Sequence, residues 1–182
     1  MKTLPDYLAP GLRLVSVGLN PSLPSVRAGF YFANPRNRFW KALAASGLAD
    51  CLGEGWQPGP EAVERLFREC GMGFTDLVKR PTAGVKDLRA ADFREGARVL
   101  EEKLLAAAPC VVWFHGKMAW RAFLKYRGPA VDDIPWGRQK TGIGDALVYV
   151  TPNSSPANAA FSLDDLVAWY RKLDRLQRRL CP

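Results

Sequence analysis

Histidine and closely spaced cysteines are scarce in this chain. Its 182 residues include one histidine, His115, and four cysteines without any C-x-x-C spacing. Zinc and iron–sulfur sites need clustered cysteine or histidine ligands, so we expect no metal and no cofactor. A Ser-His-Asp triad would have to include His115, which disfavours that class of hydrolase. We expect His115 to form the polar end of a buried strand.

Phosphate-binding glycine motifs and long apolar segments are also missing. The sequence contains neither G-x-x-x-x-G-K-[ST] nor G-x-G-x-x-G, which disfavours an enzyme that uses nucleoside triphosphates. No apolar run approaches the roughly 20 residues that cross a bilayer, and no basic segment precedes an apolar one at the amino end. We therefore expect a soluble, cytoplasmic protein without a membrane partner.

The composition is that of a folded protein with a basic surface. Hydrophobic residues make up 48% of the chain and charged residues 24%, which favours one compact domain over residues 1–182. The 26 lysines and arginines exceed the 18 acidic residues and give a net charge of +8. Such an excess favours a polyanionic partner such as nucleic acid, although a solvated basic surface has the same charge.

Strand and helix patterns alternate along the sequence. Apolar, β-branched segments predict strands over 12–19, 73–78, 110–114 and 146–150. Helical spacing predicts helices over 37–46, 61–70, 90–107 and 117–126 and a closing helix that begins after Ser162. We expect irregular loops over 20–36 and 151–160. The alternation predicts an α/β domain with a mostly parallel sheet and a ligand crevice at the carboxyl ends of its strands.

Four ordered motifs resemble a known family. They are GLNPS at residues 18–22, GFYFANPRNRFW at 29–40, GFTDLVKRPT at 73–82 and PNSS at 152–155. Together they resemble the mismatch-specific uracil/thymine-DNA glycosylases of the uracil-DNA glycosylase superfamily. The resemblance covers nearly the whole chain. It implies a three-layer sandwich in which helices flank a mostly parallel sheet of four to five strands.

The resemblance also implies a reaction and roles for individual residues. The reaction is hydrolysis of the N-glycosidic bond of a flipped nucleotide, without a cofactor. Asn20 resembles the residue that orients the attacking water, and Phe32 the aromatic that stacks on the base. The backbone at Leu19 and Phe32 is implied to contact the pyrimidine edge, and Ser25 to line the pocket.

Asp76 departs from the family pattern, which has a non-acidic residue at this position. It ends a predicted strand at the crevice, so its carboxylate could approach the water or the sugar cation. We interpret Asp76 as a catalytic or supporting residue. The alternative is an aspartate that caps a helix or lies on the surface.

The second loop is implied to contact base and DNA. Asn153 and Ser155 are expected to bind the base, and Ser154, Pro156, Ala157 and Asn158 the DNA beside it, with Lys79 and Arg80 as candidate phosphate contacts. Relatives insert a long side chain into the base stack here, whereas this loop carries only small residues. We therefore expect loose dependence on the opposite base, and activity on single-stranded DNA as well as duplexes.

These observations favour a monofunctional, monomeric DNA glycosylase that excises uracil, with thymine in G:T pairs and modified pyrimidines as further candidates. Three alternatives stay open at this stage. They are a glycosylase for deaminated purines such as hypoxanthine, an inactive DNA-binding relative, and a hydrolase of free nucleosides.

Overall fold

The computed structural model describes residues 2–181, in which strands alternate with helices. The strands are β1 Leu14–Gly18, β2 Met72–Asp76, β3 Val111–His115, β4 Gly137–Arg138 and β5 Leu147–Thr151. The helices are α1 Leu23–Ala28, α2 Phe39–Ala44, α3 Pro60–Cys70, α4 Ala90–Ala107, α5 Lys117–Arg127 and α6 Leu163–Leu180. Among these helices, none combines the length and apolar character needed to cross a membrane.

The five strands form one sheet in the order β2-β1-β3-β5-β4. All pairings are parallel except that of β4, which runs antiparallel along β5 at the edge. The register places Gly18 opposite Asp76 and His115 opposite Thr151. The carboxyl ends of β1, β2, β3 and β5 therefore lie along the same edge of the sheet, with β1 and β3 in the centre.

Alternate residues of each strand bury themselves in two separate cores. In β3, Val111 and Trp113 join the core beneath α2, α3 and α6, whereas Val112 and Phe114 join the core beneath α4 and α5. Because helices cover both faces of the parallel sheet, β1, β2 and β3 are buried throughout their length. The structure confirms the expected three-layer α/β sandwich with a mostly parallel sheet.

The sequence predicted an irregular loop over 20–36, but part of this segment is helical. It contains the short helix α1, which begins after Ser22, whose hydroxyl accepts a hydrogen bond from the Ser25 amide at 3.3 Å. Gly29 ends the helix in the left-handed conformation. Serine, proline and glycine are typical of loops, but they also begin and end helices. In a helix as short as α1, the sequence pattern therefore does not distinguish a helix from a loop.

All four cysteines form disulfides, a pairing that their spacing in the sequence did not suggest. Cys51 bonds to Cys70, and Cys110 bonds to Cys181 across 71 residues of sequence. Cys110 directly precedes β3, and the carbonyl of Cys181 accepts a hydrogen bond from Arg13, which directly precedes β1. The second disulfide therefore ties the end of α6 to the amino ends of the central strands.

We expect reduction of the Cys110–Cys181 bond to lower the free energy of unfolding by about 2–4 kcal/mol, because it releases a long loop in the unfolded chain. The measurement is denaturant unfolding of the natural protein and of the Cys110→Ser/Cys181→Ser variant, each with and without reductant. Titration under denaturing, non-reducing conditions should detect no free thiol in the natural protein. Equal stability of the two proteins would contradict the expectation.

Candidate active site

A cleft of about 310 Å³ opens at the carboxyl ends of β1, β2, β3 and β5. This volume is within the range of pockets that hold small molecules. Its walls come from segments far apart in the sequence, including Leu19, Asn20, Ser25, Phe32, Asp76, Thr82, His115, Asn153, Ser155 and Ala157. The structure thus brings together most of the residues that the sequence had indicated, and adds His115.

Asn20 is held by its amide nitrogen. That nitrogen donates hydrogen bonds to the carbonyl of Arg80 at 3.1 Å and to the hydroxyl of Thr82 at 2.8 Å. With both amide hydrogens engaged, the orientation of the side chain is fixed, and its Oδ1 atom remains to accept a hydrogen bond. An amide oxygen in this position can hold a water molecule but cannot remove its proton at neutral pH.

Asp76 ends β2 with its carboxylate against the main chain of β1. A Cβ atom added to Gly18 would lie only 2.6 Å from its Oδ1 atom, so the carboxylate occupies space that any larger residue would fill. The side chain of Asp76 is 4% exposed and lines the cleft. The alternative of a surface or helix-capping aspartate is therefore wrong.

Burial raises the pKa of Asp76 to about 7, and the Asp6 carboxylate contributes to the rise. Lys79 opposes it, with its Nζ 3.5 Å from the Asp76 carboxylate. The same ammonium group lies 2.8 Å from Asp6, which also pairs with Lys103 at 2.6 Å. Because Lys79 is shared, it only partly offsets the cost of burying the Asp76 charge.

Phe32 lies against the aromatic core beneath the cleft. Its ring stacks on Phe39 with centroids 3.9 Å apart and planes 15° apart, and the residue also lines the cleft. Its φ of 58° is unusual for a bulky residue. Hydrogen bonds hold the chain on both sides, from the Trp40 indole to the Tyr31 carbonyl at 3.0 Å and from the Ala33 amide to the Ser25 hydroxyl at 3.2 Å. Ser25 therefore positions the Phe32 loop as well as lining the cleft.

His115 occupies the end of β3, as expected, and it also lines the cleft. Its Nε2 atom lies 2.8 Å from the Ser16 hydroxyl, and its Nδ1 atom has no partner within the described residues. The ring centroid is 5.0 Å from that of Phe32. The sequence did indicate that His115 lies at the end of a strand, where other cleft residues also lie. The apolar strand before it favoured a structural role instead.

The loop after β5 is folded by its own polar side chains. Asn153 Oδ1 accepts from the Ser155 amide at 2.8 Å, and Asn158 Nδ2 donates to the Asn153 carbonyl at 2.9 Å. Asn153, Ser155 and Ala157 line the cleft, and Pro156 and Ala157 are exposed. The tip of the loop therefore presents small side chains and no long one.

Ser154 does not face the cleft. It is 0% exposed, and its hydroxyl is buried beside Tyr170. This burial contradicts the expectation that Ser154 contacts DNA, because the residue has no exposed surface for a partner. Its carbonyl serves the loop instead, by accepting a hydrogen bond from the Arg38 amide at 3.1 Å.

Arg38 anchors the whole second loop, a role that the sequence did not suggest. Its guanidinium donates to the carbonyls of Ser155 at 3.0 Å, Asn158 at 2.8 Å and Phe161, and approaches that of Ser154 at 3.4 Å. Arg38 directly precedes α2, which follows the Phe32 loop. One side chain thus joins the two loops that face each other across the cleft.

Lys79 and Arg80 are both engaged in ion pairs. Lys79 pairs with Asp6, and Arg80 pairs with Asp92 at 2.5 Å and donates to the carbonyl of Asp87 at 2.6 Å. The arginine also holds Asn20 through its own carbonyl. A phosphate contact by either cation stays a prediction. Among residues 2–181, no cluster of metal-ligating side chains is present.

Comparison with known proteins identifies a family and a shared fold. The family model of the Uracil DNA glycosylase superfamily matches residues 5–174. A solution NMR structure of a candidate uracil DNA glycosylase from Methanosarcina acetivorans has a TM-score of 0.58 and 22% sequence identity. The match covers 95% of this chain and 98% of that chain. At this identity, the structural likeness shows that the two proteins share a fold.

We expect Arg38→Lys to lower the free energy of unfolding by about 1–3 kcal/mol, because lysine cannot reach several carbonyls with one planar group. Hydrogen exchange should also become faster in residues 153–161. Denaturant unfolding and amide exchange measure the two effects. Arg36→Lys, at an exposed position in the same segment, is the matched control. Unchanged exchange in the Arg38 variant would contradict the anchoring role.

We expect Asp76→Asn to stabilise the folded protein, and more strongly at pH 8 than at pH 5. Folding raises the pKa of Asp76 from 3.8 to about 7. The free energy of unfolding therefore falls as the pH rises from 3.8 to about 7, because the carboxyl group ionises more readily in the unfolded chain. Asparagine has no such loss. Thermal unfolding of both proteins across this range measures the difference, and a constant difference would contradict the raised pKa.

Proposed function

This chain belongs to the uracil DNA glycosylase superfamily, and we propose that it is a monofunctional glycosylase that removes uracil flipped out of DNA. The product is an abasic site. Thymine in G:T pairs and other modified pyrimidines are further proposed substrates, as for the mismatch-specific members. The observation that carries the proposal is that Asn20 and Asp76, from neighbouring strand ends, line one cleft together with Phe32.

The reaction needs a positioned water and a place for developing charge. The bond between the base nitrogen and the sugar C1′ breaks with its electron pair on the base, and the water oxygen bonds to C1′. Asn20 Oδ1 is suited to hold that water, because its amide nitrogen is already engaged. The Asp76 carboxylate, when ionised, can accept the water proton and stabilise the sugar cation.

Phe32 is suited to hold the extruded base. One ring face is covered by Phe39, and because Phe32 lines the cleft, we propose that a flat ring bound there stacks on the other face. Stacking of a base on an aromatic side chain contributes about 1–3 kcal/mol and tolerates several bases. Because Phe39 already holds the Phe32 ring, binding of a base there costs little conformational entropy.

The second loop supports broad use of DNA substrates. Pro156 and Ala157 are exposed in this loop but are too short to fill the gap that a flipped nucleotide leaves in the stack. We therefore propose weak dependence on the opposite base, and activity on uracil in single strands as well as in duplexes. The net charge of +8 favours DNA binding. We propose that the protein acts as a monomer.

We expect the natural protein to release uracil from oligonucleotides that are single-stranded or paired with G or A. Asn20→Ala should reduce the rate about 100-fold because the water is no longer positioned. Asp76→Asn should reduce it about 10²- to 10⁴-fold. Single-turnover release of free base is the measurement. Asp132→Asn, an exposed carboxylate on a distant loop, is the matched control.

Two outcomes would redirect this proposal. Release of hypoxanthine but not of uracil would identify a glycosylase for deaminated purines. Tight binding of DNA without release of either base would identify a catalytically inactive DNA-binding protein.

We also expect the single-turnover rate to rise with pH through about 7 and then level off. The pKa of Asp76 is about 7, and only its ionised form can accept a proton. Lys79, Asp6 and Tyr31 are the other ionisable groups that act on this carboxyl group. The residual activity of Asp76→Asn should not show this rise. A rise of equal size in the variant would assign the titration to another group.

A further inference from the structure

The amino-terminal segment 3–7, which none of the four sequence motifs includes, is fixed beside β2 by hydrogen bonds. The amide and carbonyl of Tyr7 exchange hydrogen bonds with those of Phe74, at 2.9 and 3.0 Å. The hydroxyl of Thr3 donates to the carbonyl of Lys79 at 2.6 Å. The segment is therefore held against both the strand and the loop that follows it.

Asp6 is the acidic residue within this segment, and it accepts hydrogen bonds from two lysines. Its Oδ1 atom accepts from Lys79 at 2.8 Å and from the Thr75 hydroxyl at 2.7 Å, and its Oδ2 atom accepts from Lys103 at 2.6 Å. Burial alone would raise the pKa of Asp6, but the hydrogen bonds from Lys103 and Lys79 lower it from 3.8. Asp6 is therefore an anion throughout the neutral pH range.

The ammonium group of Lys79 is shared unequally between two carboxylates. Its Nζ atom lies 2.8 Å from Asp6 but 3.5 Å from Asp76, and 3.2 Å from the hydroxyl oxygen of Tyr31. The distance to Asp76 is beyond the usual range of a hydrogen bond, whereas the distance to Asp6 is well within it. Because electrostatic attraction falls with distance, Lys79 stabilises the charge of Asp6 more than that of Asp76.

Building on the proposed function, we infer that Asp6 is a positioning residue, which holds Lys79 away from Asp76 and so sets the pH range in which Asp76 accepts the water proton. Asp6 acts in two ways, because it takes the lysine and because its own negative charge disfavours a second one nearby. Both effects favour the protonated form of Asp76. A carboxylate fully paired with Lys79 would ionise at lower pH and would be a weaker base.

The other titratable groups around Asp76 do not replace the lysine that Asp6 holds. Tyr31, before α2, stays uncharged because burial raises its pKa. His115, at the end of β3, lines the same cleft, and burial lowers its pKa to about 3, so it is uncharged at neutral pH. Lys103, on α4, pairs with Asp6.

The first test is carbon NMR of the natural protein without DNA, with the Asp76 carboxyl signal assigned from its absence in Asp76→Asn. We expect this signal to titrate near pH 7. In Asp6→Asn it should titrate about one pH unit lower, because Lys79 is released and a like charge is removed. Lys103→Met, which removes one of the two lysines paired with Asp6, should move the midpoint upward. Asp132→Asn, the same change on an exposed distant loop, is the matched control.

The second test determines whether Asp6 acts through Lys79. Lys79→Met alone should raise the midpoint of the Asp76 titration. When Asp6→Asn is added to Lys79→Met, the midpoint should fall by less than it does when Asp6→Asn is made in the natural protein. An equal shift in the two backgrounds would show that Asp6 acts without the lysine, and would overturn the positioning role.

The third test links the titration to the reaction, through the pH profile of single-turnover uracil release. In each variant the midpoint of the rate should follow the NMR midpoint. At pH 6, Asp6→Asn should therefore retain about fivefold more of its own plateau rate than the natural protein does. The plateau itself should be lower, because a more acidic carboxyl group gives a weaker base. A purely structural role for Asp6 would lower the free energy of unfolding and leave the midpoint in place.

The outcomes separate this inference from the proposed function. If the natural protein releases no uracil, the proposed function fails, and the NMR midpoints still decide whether Asp6 controls the ionisation of Asp76. If uracil is released but the Asp76 midpoint is the same in the natural protein and in Asp6→Asn, only the inference fails. Midpoints that move together in NMR and in uracil release support both.

Discussion

The candidate site depends on the hydrogen bonds from Arg38 to the main chain of residues 154–161. A parallel sheet delivers several strand ends to one edge, but nothing in the sheet fixes how the loops beyond those ends lie against each other. Arg38 supplies that constraint. Arg38 lies just before α2 and close in sequence to Phe32, so its hydrogen bonds hold the second loop against the segment that carries Phe32.

The position of Asp76 in the wall of the cleft has opposing effects on its carboxylate. Asp76 is useful because it is buried next to the main chain at Gly18, yet burial makes its charge costly. Lys79 reduces that cost without removing it, because its ammonium group also pairs with Asp6. Burial raises the pKa of Asp76, and the shared Lys79 lowers it only in part. A fully compensated Asp76 would be more stable as an anion and a weaker base.

The sequence was sufficient for the fold class, for most element boundaries and for the placement of Asn20, Asp76 and Phe32 around one cleft. These predictions rest on patterns that are local, since a strand end fixes where the next residues go. Four other features depend on contacts across the fold: the burial of Ser154, the anchoring role of Arg38, the place of His115 in the cleft wall and the pairing of the cysteines. No residue pattern within a short segment encodes them. The helix α1 was missed for a different reason, because its cap residues are also typical of loops.

The disulfides and the cleft lie at opposite edges of the sheet. Cys70 and Cys110 precede β2 and β3, whereas Asp76 and His115 end the same strands. Along each of these strands, one end is cross-linked and the other is left for chemistry. Substitutions that change stability to heat or to reduction can therefore accumulate at one edge of the sheet. Substitutions that change which base is bound can accumulate at the other edge, and few residues contribute to both properties.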